Sequence, residues 1–161
     1  MNAHDENIVD PTKEGEKKQI FLSYASADRA LAYRIAEALR DVGLNVWDDS
    51  RINFGQSIVD EVEKALQKSQ AMVVLLTPQS VQSANMQWEM QVAHALGDKA
   101  YARRLFPVIA SPAGQLPYDQ IPWVLRSRVF ASLPEQEQTE DGLHRLAGMI
   151  VRALQSSGDS R

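Results

Sequence analysis

Cysteine is missing altogether from this chain of 161 residues. Its absence excludes a disulfide framework, a thiol nucleophile, a thiolate-based zinc site and an iron–sulfur cluster. A basic surplus is missing too: 17 Lys+Arg against 21 Asp+Glu leave a net charge of −4. That balance offers nothing to hold a phosphate backbone, so no nucleic-acid partner is expected. Long hydrophobic runs are also missing. The longest, Ala71 to Leu76, is strand-sized, whereas a membrane helix needs roughly 18 apolar residues or more. Residues 1–18 hold no apolar run of signal-peptide length. The expectation is a cytoplasmic protein with no membrane partner. Histidine is scarce, with 3 in the chain, and none stands in a pattern that suggests a triad.

What is present fits one domain, since the usual domain size is roughly 100–150 residues. Hydrophobic residues at 44% and charged residues at 24% are in the range of a globular body. Residues 1–18 read as a flexible tail: Asp5, Glu6, Asp10, Glu14 and Glu16 stand with three lysines and little to bury. Residues 156–161 read the same way. The body is then 19–155.

Within that body the hydrophobic period switches repeatedly between strand and helix. Gln19 to Ser23 is a short apolar strand, and Asp28 is placed to cap a helix. Ala32, Ile35, Ala36, Leu39 and Val42 follow at helical spacing, and Gly43 terminates them. Leu44 to Trp47 is a second strand, and a loop spans 48–55. Ile58, Val62, Ala65 and Leu66 mark a second helix. Ala71 to Leu76 is continuous and apolar, as a strand buried on both faces must be. Trp88, Val92, Ala95 and Leu96 predict a third helix that ends near Gly97. Leu105 to Ile109 is a fourth strand, and Ser127 to Phe130 the expected fifth. Leu143, Leu146, Ala147, Ile150 and Leu154 mark a last helix. This alternation predicts an α/β fold: a flavodoxin-like, five-stranded parallel sheet of order 2-1-3-4-5 with helices on both faces. Ligands of such sheets bind beyond the carboxyl ends of the strands, where the strand order reverses.

The segments at those ends exclude several chemistries. No G-x-G-x-x-G follows the first strand, and no G-x-x-x-x-G-K-[ST] or G-x-S-x-G occurs. A receiver domain needs an acidic pair after strand one and a phosphoacceptor Asp after strand three; Ser23-Tyr24 and Thr77 stand there instead. Three features remain. Phe21 to Asp28 runs a strand into a hydroxyl-rich turn. Val46 to Ser57 carries the adjacent acids Asp48 and Asp49, readable as a solvated loop that caps the next helix or as metal ligands. Adjacent residues point apart and no further ligand is near, so no metal is expected. Ser80 to Met90 carries Glu89 near the first turns of the predicted third helix. Glu89 is either a surface acid favoured by the helix dipole or, half-buried beside Trp88, a carboxylate useful in chemistry. His94 is five positions beyond Glu89, neither i+3 nor i+4, so the two are not expected to pair. His94 and His144 read as structural or surface residues.

Together these segments resemble a TIR (Toll/interleukin receptor) domain of the bacterial type. Ile20-Phe-Leu-Ser-Tyr-Ala-Ser-Ala-Asp28 is similar to the family's first box. Gly43-Leu-Asn-Val-Trp-Asp-Asp49, with Ile52 and Gly55-Gln-Ser-Ile58, is similar to its second strand and the loop called BB. Val73-Val-Leu-Leu-Thr-Pro78 with Ser80 and Ser83 resembles the third strand and its exit, and Leu105-Phe-Pro-Val-Ile109 the fourth. The resemblance covers about 19–155, in order and at family spacing.

The resemblance implies one of two functions. One is cleavage of NAD+ into nicotinamide and ADP-ribose or a cyclised form, in bacterial antiviral defence, with Glu89 as the catalytic residue. It implies NAD+ as substrate rather than cofactor. Ser23, Tyr24 and Ser26 would contact ribose or phosphate. Asp48, Ile52 and Phe54 would line the mouth, and Ser83 and Asn85 belong to the same site. A neighbouring subunit would complete the pocket, so activity would need self-association through loop 48–55, and a separate effector protein would act on the product. The other function is a non-catalytic interaction module working by TIR–TIR association. The family pattern S-x-W-x-x-x-E puts Ser83 on the serine and Glu89 on the acid, with Asn85 where tryptophan is expected. The register that keeps Trp88 on the tryptophan puts Val92 on the acid, so the first is preferred. Position 85 shares the face of Glu89, four residues away, and asparagine can only hydrogen-bond there. Either another aromatic, Tyr24 or Phe54, supplies a platform for nicotinamide, or turnover is weak or lost.

Overall fold

The run Ala71–Leu76 forms a strand in which every residue is fully buried. It is the centre of the sheet in a computed structural model that describes residues 19–48, 55–82, 105–112, 115–121, 125–126 and 129–159. The described elements are β1 (Gln19–Ser23), α1 (Arg29–Asp41), β2 (Asn45–Trp47), α2 (Ile58–Lys68), β3 (Ala71–Leu76), β4 (Leu105–Ile109), β5 (Ala131–Ser132) and α3 (Glu140–Asp159). The five strands are parallel in the order β2-β1-β3-β4-β5, the flavodoxin-like arrangement expected. The helix expected over Trp88–Gly97 falls outside the described residues.

Because successive strand residues face opposite sides, the sheet divides its apolar residues between two cores. Ile20, Leu22, Val73, Leu75 and Val108 face one way and meet α1 and α3. Phe21, Met72, Val74, Leu76 and Ile109 face the other and meet α2, Ile121 and Leu125. Each helix supplies its stripe at the spacing the sequence predicts. In α1, Ala32, Ile35, Ala36 and Leu39 are buried. Burying each such side chain is worth about 1.5–3 kcal/mol for the larger aliphatics, which is what holds helices to both faces.

Helix ends are set by local chemistry. Past Asp41, the Gly43 N–H donates to the Arg40 carbonyl at 3.0 Å and the Leu44 N–H to the Leu39 carbonyl at 3.1 Å. Gly43 has φ of 93°, so this is the paired-bond stop that glycine permits. Ser57 opens α2, its Oγ accepting from the Asp60 N–H at 3.3 Å. At the start of α3, Thr139 Oγ1 accepts from the Gly142 N–H at 3.1 Å. A Cβ on Gly142 would stand 1.8 Å from the Glu137 carbonyl oxygen. The turn over Glu135–Glu137 therefore seats against α3 only because residue 142 has no side chain.

The fifth strand differs from expectation: it is Ala131–Ser132, not Ser127–Phe130. Ser127 and Arg128 lie outside the described residues, while Val129 is 93% exposed. The cause is proline in β4. Ile109 gives its carbonyl to the Leu133 N–H, whereas the Ala110 N–H reaches back to the Leu76 carbonyl. Odd residues of β4 thus bond toward β5, and Pro107, one of them, has no N–H to give. The ladder begins only at Val108, opposite Ala131. The β-prone pair Val129-Phe130 precedes it, with Phe130 half-buried against the second core.

Gly142→Ala is expected to lower the unfolding free energy by about 3 kcal/mol, read as a shift of the denaturation midpoint. An unchanged midpoint would show that the 135–142 turn yields freely.

Candidate functional site at the strand exits

In a 2-1-3 sheet the reversal of order falls between β1 and β3, and ligands of such sheets bind beyond the carboxyl ends of the strands at that point. On the β1 side Ser23 is buried at 1% exposure and pairs in register with Val74. Tyr24 is half-buried, packed against the first core, with its ring edge-on to Tyr33 of α1 at 6.2 Å and 80°. Ser26 is exposed and opens a short 3-10 turn, Ser26–Asp28. The exit of β1 thus brings three of the predicted residues, Ser23, Tyr24 and Ser26, into one four-residue stretch.

The exit of β3 is built from side chains that bond the backbone. The Thr77 N–H donates to Ser80 Oγ at 2.8 Å, and the Ser80 N–H donates to Thr77 Oγ1 at 3.0 Å. Both residues are buried, at 2% and 0% exposure. This reciprocal pair is the logic of a capping box, and it fixes the short turn Ser80–Gln82. Thr77 Oγ1 also donates to Asp28 Oδ2 at 2.5 Å, across 49 residues of sequence. Asp28 precedes α1 but makes no side-chain cap bond to it. The sequence places Asp28 as a cap; the structure turns its carboxylate across the switch point to the neighbouring strand exit.

Asp48 follows β2 and is buried. Its Oδ2 pairs with Arg40 Nη2 at 3.1 Å, the pair's side chains being 32% and 2% exposed for Arg40 and Asp48. The same Nη2 donates to the Val46 carbonyl at 3.1 Å. Trp47, just before, stacks on Phe21 at 5.0 Å and 17°. The entry to the 48–55 loop is thereby anchored to α1 by the Arg40–Asp48 pair and to β1 by the stack of Trp47 on Phe21. Ile52, Phe54, Ser83, Asn85 and Glu89 lie outside the described residues. Among the described residues no group of three or more His, Cys, Asp or Glu gathers around a common point, and no helix is long and apolar enough to cross a membrane.

A groove of about 400 Å³ lies elsewhere, between β4, the residues leading into β5, and α3. Its walls, Phe106, Val108, Val129, Phe130, Met149 and Ile150 among them, are mostly apolar, and none of the predicted site residues is among its lining residues. The polar groups converge at the strand exits instead. Sequence reading missed the bonds by which Arg40, Thr77 and Asp28 tie the strand exits together. Thr77-Pro-Gln-Ser80 carries a readable signal, two hydroxyls at i and i+3 after a strand. Arg40 carries none, because its partner is brought near only by the turn at Gly43.

Parallel strand order β2-β1-β3-β4-β5, with polar side chains gathered at the exits of β1 and β3, defines a flavodoxin-like α/β domain. A model of the TIR domain matches residues 20–147, and the chain belongs to that family. Comparison with curated proteins finds no match. Among solved structures, the chain is similar to a metazoan TIR-STING receptor from C. gigas, solved in complex with 2′,3′-cGAMP. The TM-score is 0.64 at 24% identity, covering 80% of this chain and 38% of the receptor chain. This chain therefore spans well under half of that receptor's length. It is also similar to the TIR domain of the Toll-related receptor TRR-2 from Hydra magnipapillata, with a TM-score of 0.62 at 14% identity, covering 81% of this chain and 96% of that one. The TIR domains of the Roq1 resistosome give a TM-score of 0.55 at 18% identity, covering 83% of this chain and 85% of that one. At these identities the likeness speaks to fold.

Arg40→Ala is expected to cost about 3 kcal/mol, because it takes the guanidinium at 3.1 Å away from the buried Asp48 carboxylate. Arg40→Ala with Asp48→Asn should cost less than the sum of the two single changes. Chemical denaturation of the four proteins checks this; strict additivity would contradict the coupling.

Proposed function

We propose that this TIR domain cleaves the nicotinamide–ribose bond of NAD+, with Glu89 as the catalytic carboxylate. The observation that carries the reading is family membership combined with the hydroxyl-bearing residues Ser23, Tyr24, Ser26 and Thr77 at the exits of β1 and β3, where the strand order reverses. The spacing Ser83 to Glu89 supports it, since it follows the family pattern.

The chemistry asks for little. Nicotinamide leaves as a neutral group from a cationic precursor, and the bond electrons go with it. The ribose is left with oxocarbenium character. A carboxylate held close to that carbon stabilises the growing positive charge more in the transition state than in the ground state. Water then adds to give ADP-ribose, or an internal nucleophile closes a ring. No thiol or histidine base is required, in keeping with a chain that has no cysteine. Ser23, Tyr24 and Ser26 orient ribose and phosphate. Asp48, Ile52 and Phe54 form the mouth, with Tyr24 or Phe54 as the platform for nicotinamide where Asn85 offers none. A second copy, docking through 48–55, completes the pocket. The setting that suits the reading is bacterial antiviral defence, in which a separate effector responds to the product.

A second reading rests on one specific observation: Asn85 stands where the family's catalytic members have tryptophan. In that reading the domain works by association alone.

Concentrated, assembled protein is expected to release nicotinamide from NAD+. Glu89→Ala should reduce the rate by at least about a hundredfold. Chromatography of the products, wild type against variant, decides between the readings. No release under assembling conditions would favour the interaction module.

A further inference from the structure

Asp28 sits at a helix start and does not cap the helix. A carboxylate in that place ordinarily accepts from the second or third N–H of its own helix, at a gain in stability. Here Oδ2 accepts from Thr77 Oγ1 instead, and Thr77 is 2% exposed. The Thr77 hydroxyl spends its hydrogen on Asp28 and its lone pair on the Ser80 N–H. Ser80 in turn accepts from the Thr77 N–H. One backbone N–H and two side chains therefore form a directional chain, from the Ser80 N–H through the Thr77 hydroxyl to the Asp28 carboxylate. A charged acceptor at its end strengthens the bond and fixes which way the hydroxyl points. The Val81 N–H completes the turn on the Thr77 carbonyl at 3.2 Å.

We propose that Asp28 is a positioning residue for the segment that leaves β3: it pins Thr77, and through Thr77 the Ser80–Gln82 turn, to the exit of β1. The consequence for turnover rests on the function proposed above. Gln82 is covalently followed by Ser83, and Glu89 is seven residues beyond Gln82. The two strand exits, 23–28 and 77–82, are then joined beyond the β1–β3 pairing by one buried hydroxyl. A carboxylate that acts by charge at a fixed distance depends on where its segment begins.

Amide hydrogen exchange of the full chain separates this role from a helix cap. In Asp28→Ala and in Thr77→Val, the Thr77, Ser80 and Val81 amides should exchange at least about tenfold faster, with the first-turn amides of α1 unchanged relative to global stability. Thr77→Ser, which keeps the hydroxyl, should restore wild-type protection. The double variant should deprotect the turn no further than Thr77→Val alone. In nicotinamide release from NAD+, Thr77→Val should lower kcat at least about tenfold and KM less than twofold, with Thr77→Ser again restoring the rate. Loss of protection in α1 with the 77–82 amides intact would overturn the proposal in favour of a plain cap, as would failure of Thr77→Ser to rescue. A wild-type protein without nicotinamide release would overturn the proposed function and the catalytic consequence drawn from it, while the exchange result upholds or overturns the pin by itself.

Discussion

Ala71–Leu76 has no face to give to water. Every residue of the strand is at 0% exposure, and burial on both faces forces helices onto both sides of the sheet. From that one constraint the layered architecture follows. The parallel pairing of β1 and β4 on its two flanks requires crossovers; those before β3 carry the apolar stripes of α1 and α2, and α3, after β5, covers the same face as α1. The same constraint sends the polar residues elsewhere. With the body of the sheet closed to them, hydroxyls and carboxylates collect where the strands end.

At those ends the molecule spends its few buried polar groups on joining segments distant in sequence. Asp28 reaches Thr77 across the reversal of strand order. Arg40 reaches Asp48 across the turn at Gly43. Gln19 donates to the Ala65 carbonyl at 3.1 Å and to Ser69 Oγ at 2.9 Å, tying the beginning of β1 to the end of α2. Each link satisfies groups that would otherwise cost about 1–3 kcal/mol to bury unpaired. Each also fixes the start or finish of a loop while leaving the loop's own composition open. This is the arrangement by which one fold serves different ligands and partners.

Much of the architecture was legible because it is local. Period changes mark β1, α1, β2, α2, β3 and α3, and Gly43 and Ser57 announce a stop and a start by chemistry that acts within a few residues. The strand order followed from alternation of strands and helices. What escaped was non-local or rested on absence. The position of β5 depends on which neighbour the missing N–H of Pro107 would have faced, and nothing in the run Ser127–Phe130 reveals that. Asp28 has the residue type and place of a cap, so sequence reasoning assigns it the local bond; the bond it makes depends on a threonine 49 residues away. The transition from strand to turn that carries Ser23, Tyr24 and Ser26 was legible in the sequence. The buried pairing of Asp48 was not, because Arg40 becomes its neighbour only after the chain reverses.

The central claim is the proposal that NAD+ binds at the exits of β1 and β3. Its most direct test is a titration of isotopically labelled Glu89→Ala protein with NAD+, followed by amide chemical shifts, so that ligand is bound without being consumed. The account predicts shifts concentrated in Ser23–Asp28 and Thr77–Gln82. Shifts concentrated along the apolar groove of β4, β5 and α3, or none at any NAD+ concentration reached, would contradict it.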